Sequence, residues 1–97
     1  MTIQYIGFQP KPRGRDYSYR VVDPKAEPRE FILTISNQAF LERRVPYQDA
    51  AAICYQKLQR ELAMENPGQP LRRHFTISDR ELDEYRDKYR PAKRRGV

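Results

Sequence analysis

Between Pro46 and Gly68 the chain carries an apolar stripe at helical spacing, and no other stretch restricts the fold as strongly. Ala51, Cys54, Tyr55, Leu58 and Leu62 fall at offsets of 3, 4, 7 and 11, which lays them along one side of a helix, while Gln56, Lys57, Gln59 and Arg60 face away. Asp49 occupies the N-cap position, where a carboxylate suits the positive end of the helix dipole. Asn66-Pro67-Gly68 supplies the stop, since proline cannot continue the hydrogen-bond ladder. The pattern predicts a helix over residues 50–65, roughly 24 Å long and able to lie across a small sheet.

The sheet is written in period-two alternation. Tyr17, Tyr19 and Val21 share one parity, as do Phe31, Leu33 and Ile35, so strands are expected at 17–22 and 29–36 as an antiparallel hairpin with a proline-containing loop. Residues 2–8 alternate weakly and read as an edge strand, and 71–77 reads as a further strand. Pro10, Pro12 and Gly14 among basic residues predict a basic loop or arm over 9–15. Thr34-Ile35-Ser36-Asn37-Gln38-Ala39-Phe40 is echoed by Thr76-Ile77-Ser78-Asp79-Arg80-Glu81-Leu82. In each, a serine can cap a helix and an apolar pair can staple its first turn (Ile35 with Phe40, Ile77 with Leu82), and Glu81 completes a capping box with Ser78. The second junction starts a helix over 79–90 with Leu82, Tyr85 and Tyr89 on one stripe. The fold class is therefore α+β, an antiparallel sheet with the long helix packed on it. One domain spans residues 1–90, and a basic tail at 91–97 is disordered by composition.

Composition narrows the function classes. The net charge is +6, yet residues 21–89 hold 11 basic and 12 acidic side chains, so the excess sits at the two ends. The apolar runs fall far short of the ~18 residues of a membrane span, and the first residues lack the basic and apolar regions of a secretory signal. A cytoplasmic protein is expected, with Cys54 a lone, reduced thiol. One histidine and one cysteine cannot assemble an ordinary zinc site. Gly7, Gly14, Gly68 and Gly96 are too scattered for a phosphate-cradling loop. Cys54 on the apolar stripe reads as a small hydrophobe rather than a nucleophile paired with His74. The acids Asp79, Glu81, Asp83, Glu84 and Asp87 read as a solvated helix face. No catalytic residue, cofactor or metal is expected, and no enzyme.

Two features carry a functional reading. Lys11, Arg13, Arg15 and Arg20 interleave with Tyr17 and Tyr19, and Arg90, Lys93, Arg94 and Arg95 crowd the last residues. Arginine contacts phosphates and tyrosine stacks on unpaired bases, so Lys11, Arg13, Arg15, Tyr17, Arg20, Arg90, Lys93, Arg94 and Arg95 are the candidate contacts to nucleic acid or another polyanion. The alternative is a protein-interaction or self-associating domain with a tyrosine-rich surface.

At the junction Phe31-Ile32-Leu33-Thr34-Ile35-Ser36 with Ala39-Phe40 beyond it, followed by an amphipathic helix and one more strand, the chain resembles a family of small bacterial domains catalogued only as a domain of unknown function. The resemblance covers roughly residues 29–77 and rests on the junction and the element order. It implies a small bacterial cytosolic α+β protein and carries over no functional residues.

Overall fold

Alternation over the first third of the chain becomes three consecutive antiparallel strands in the computed structural model, which describes residues 1–89: β1 (Thr2–Lys11), β2 (Gly14–Val22) and β3 (Arg29–Ser36). A short helix α1 (Asn37–Leu41) follows, and a 3-10 turn (Tyr47–Asp49) runs straight into the long helix α2 (Ala50–Ala63). β4 (His74–Thr76) and α3 (Asp79–Tyr89) complete the order. The fold is α+β, with the sheet ordered β1-β2-β3-β4. The tail expected at 91–97, and with it Arg90, Lys93, Arg94 and Arg95, lies outside the described residues.

The expected arm at 9–15 is instead the end of a long hairpin. β1 continues to Lys11, Lys11 pairs with Gly14, and only Pro12 and Arg13 form the turn. Proline misleads here because an edge strand tolerates it, as at Pro10, and because Pro12 suits a turn. The turn is pinned from outside: the Asn37 backbone N–H donates to the Arg13 carbonyl at 2.9 Å, and the Asn37 side-chain amide to the Pro12 carbonyl at 3.1 Å.

The second departure is a bulge in β1. Tyr5 pairs with Tyr19 but Gly7 pairs with Ser18, so Ile6 is the extra residue. The bulge moves Phe8 onto the face of Ile3 and Tyr5, where simple alternation would place it opposite. Gly7 absorbs the distortion with φ of 154°, a conformation that side chains with a Cβ rarely adopt.

β4 joins β3 in parallel, unlike the other pairs, because α1 and α2 carry the chain back across the sheet before it re-enters. It is only three residues long against the seven expected; just ahead of it the Ile32 N–H still donates to the Arg73 carbonyl at 2.8 Å, and before that a side chain holds Leu71. Arg29 makes a bidentate contact with Glu65 at 2.7 and 3.1 Å, and Glu65 also accepts from the Leu71 N–H at 3.0 Å. The parallel register aligns the two echoed junctions: Thr34 lies opposite Thr76, and the Ile77 N–H donates to the Thr34 carbonyl at 2.9 Å. Ser36 caps α1 through the Ala39 N–H, and Ser78 with Glu81 forms the capping box at α3.

The core lies between the helices and one sheet face, and it buries Tyr19, Phe31, Leu33, Ile35, Cys54, Leu58 and Leu82 almost completely. α2 is rotated from the expected stripe: Ala50 and Ile53 are buried with Cys54, Leu58 and Leu62, Ala51 is half-buried, and Tyr55 turns toward solvent. Tyr55 lies beside Tyr19, whose hydroxyl donates to the Ala51 carbonyl. Asp49 stands at the N-cap but makes no side-chain cap hydrogen bond, since the preceding 3-10 turn already brings it into helical geometry.

Candidate functional site

The hairpin end of β1–β2 is where the basic and aromatic residues meet. Lys11 and Arg13 are exposed at the turn, and neither they nor Arg15 enters an ion pair among the described residues. Arg15 points to the helix side of the sheet, because it shares parity with Tyr17 and Tyr19. Its guanidinium carbon lies 4.3 Å from the Tyr47 ring centre, 4.8 Å from Phe8 and 5.2 Å from Phe40, three cation–π contacts that hold the charge in place.

The rings form a platform around it. Tyr47 stacks on Phe40 at 4.6 Å with planes 7° apart. Since Arg15 is nearly as close to Phe40 as to Tyr47, it sits beside the stack rather than on the outer face of Tyr47. Tyr47 is 60% exposed. Phe8 is 46% exposed and stacks on Tyr17 at 5.6 Å. The platform draws on β1, β2, α1 and the 3-10 turn, and α1 is brought there by the Asn37 bonds to the hairpin.

The candidate residues of the sequence reading are only partly assembled. Lys11, Arg13 and Arg15 come together at the hairpin end. Tyr17 lies in the core rather than on the surface: it is 3% exposed, and burial raises the pKa of its phenol. Arg20 is exposed on the opposite, open face of the sheet, across from Glu30 and Gln4. The rings that are open, Phe8 and Tyr47, were not visible as contacts in the sequence. Phe8 reaches this face only through the bulge, and Tyr47 lies 32 positions beyond Arg15, in a turn without periodicity.

Other polar groups are matched to each other. On the open face the Thr34 hydroxyl donates to Asp16 at 2.6 Å and lies 2.7 Å from His74 Nε2, so with its proton given to Asp16 it accepts from the ring N–H. His74 and Cys54 therefore sit on opposite sides of the sheet, and burial pushes the Cys54 thiol up to about 12. A groove of about 480 Å³ between α2 and α3 contains Lys57 and Glu81, which pair at 2.7 Å. Arg44 links the segment after α1 to Asp83 of α3 at 3.0 and 3.1 Å. Among the described residues no group of three or more His, Cys, Asp or Glu side chains is placed to hold a metal ion, and no helix is long and apolar enough to cross a membrane.

No protein-family model, curated protein or solved structure matches the chain.

Proposed function

We propose that this domain binds single-stranded nucleic acid at the end of the β1–β2 hairpin, as a non-catalytic module. Lys11 and Arg13 contact phosphates, the exposed parts of the Tyr47 and Phe8 rings receive unpaired bases, and Arg15 fixes the platform from within. The basic residues Arg90, Lys93, Arg94 and Arg95 add further phosphate contacts. The observation that carries the reading is Arg15 held against two half-exposed rings next to a turn that bears Lys11 and Arg13, with none of the three in an ion pair among the described residues; cations beside exposed rings are what sequence-tolerant single-strand binders use. A duplex, whose bases are already stacked, cannot use the rings, and so should bind more weakly.

Fluorescence anisotropy with labelled single-stranded and duplex oligonucleotides at low and moderate salt tests this. The single strand should bind more tightly, and the Lys11→Ala/Arg13→Ala variant should flatten the salt dependence by about 0.7 log units for each phosphate it no longer neutralises. Tyr47→Ala should weaken binding by about 1–3 kcal/mol per base unstacked while leaving the salt slope unchanged. Absence of binding at low salt would remove the proposal. The alternative reading, a self-associating domain, is favoured by a separate observation, the exposed apolar length of β1.

A further inference from the structure

β1 is the longest strand among the described residues and lies at an edge of the sheet, so one side of its backbone faces no other strand there. Edge strands normally carry charges that stop them from pairing with another chain. The only charged side chain in β1 is Lys11, its last residue, whereas Tyr5 and Ile6 are 48% and 54% exposed. We propose that β1 pairs antiparallel with β1 of a second copy of this chain, joining two four-stranded sheets into one of eight strands. The inference does not depend on nucleic-acid binding.

The bulge selects the register. Strand pairing requires facing residues to point to the same side of the sheet. Ile3, Tyr5, Phe8 and Pro10 point to the helix side, and Thr2, Gln4, Gln9 and Lys11 to the open side. Because the parity changes within β1, a two-fold pairing that matches faces along the whole strand must be centred on the bulge. Tyr5 then meets the second copy's Phe8, Gln4 its Gln9, Ile3 its Pro10 and Thr2 its Lys11. A bulge ordinarily protects an edge; here the two bulges meet at the symmetry axis and leave both arms free to pair.

Charge and shape agree with this arrangement. Antiparallel pairing sets each Lys11 against a neutral threonine, whereas parallel pairing would set lysine against lysine. On the helix side, Tyr5 against Phe8 continues the aromatic rows that each already forms with Tyr19 and Tyr17. A groove of about 410 Å³ lined by Ile3, Met1, Tyr55 and Leu62 lies where the second copy's Pro10 and hairpin end would seat. The contact is isologous and closes on itself, so it gives a dimer rather than a filament. A ten-residue edge about 33 Å long makes an interface near the lower limit of about 1,000 Å² for specific pairs, so the dimer should dissociate on dilution.

Sedimentation across a concentration series tests the pairing and its register. Gln4 and Gln9 are exposed on the open face, so their replacement spares the core, and thermal melts check that the variants fold. Gln4→Lys/Gln9→Lys places lysines opposite each other twice and should raise the dissociation constant about tenfold or more. Gln4→Glu/Gln9→Lys places opposite charges there and should restore or tighten the dimer. A wild-type chain that stays monomeric up to about 1 mM, well above the micromolar range expected, would overturn the proposal. So would a double-lysine variant that dimerises like wild type, or a charge-paired variant that does not recover. Dimerisation is measured without oligonucleotide, which keeps the two readings separable although Phe8 and the hairpin end belong to both surfaces.

Discussion

Gly14 sits where β2 leaves the hairpin turn, packed so closely on β3 that an added Cβ would lie 2.5 Å from the Ile35 carbonyl oxygen. The obstacle is backbone of the central part of the sheet, which cannot rotate away, so Gly14→Ala should cost about 1–3 kcal/mol, read as a lower urea midpoint. It should also loosen the hairpin end that carries the platform. Cys54 makes a different prediction. Its thiol ordinarily titrates at 9.0, and burial pushes it up to about 12. The folded chain thus keeps a proton that the unfolded chain releases. This contribution to stability is full below about pH 9 and is lost as pH rises toward 12. Urea melts between those pH values should fall more steeply for wild type than for Cys54→Ala. Native protein near neutral pH should resist thiol reagents, and rapid labelling would contradict the burial.

Among the elements, α2 decides whether the core exists. Leu58 is fully buried in its middle, and Leu58→Ala should cost about 2–5 kcal/mol by thermal or urea melt; a loss below about 1 kcal/mol would mean that the helix packs otherwise. This helix was readable because apolar residues at helical spacing state both the element and its buried side. Its rotation was not, because Ile53 and Tyr55 compete for the core and only the sheet decides: Tyr19 occupies the space beneath, and Tyr55 is left at the rim. The two serine junctions were equally readable, since capping is local chemistry. That they lie side by side in parallel register was not, because pairing between β3 and β4 depends on a crossover of almost forty residues. The bulge escaped for a similar reason. Weak alternation over 2–8 is compatible with either parity, and the choice is made by Tyr17 and Tyr19 on the neighbouring strand.

At the scale of the whole molecule, the charge excess at the ends was legible from composition, but the site was only half so. Lys11, Arg13 and Arg15 are close in sequence and remain close in space, while the rings that accompany them come from Phe8, Phe40 and Tyr47. No local pattern joins residues 8, 15, 40 and 47. Among the described residues the buried core extends no further than Leu82, with Tyr85 packed against it, and residues 90–97 offer only Ala92 and Val97 as apolar side chains, so cutting the chain after Tyr89 should leave the melting temperature nearly unchanged. The same cut removes four basic residues and should weaken oligonucleotide binding and reduce its salt dependence. If truncated and full-length chains bind alike, Arg90, Lys93, Arg94 and Arg95 make no phosphate contacts.

The most direct test of the binding site is amide chemical-shift mapping of the isotope-labelled protein titrated with a short single-stranded oligonucleotide at low salt. The account predicts that the largest changes cluster at residues 8–15 and around Tyr47, with the α2–α3 groove and the open face near His74 unmoved. Changes centred on that groove or that face, or no changes at all, would contradict it.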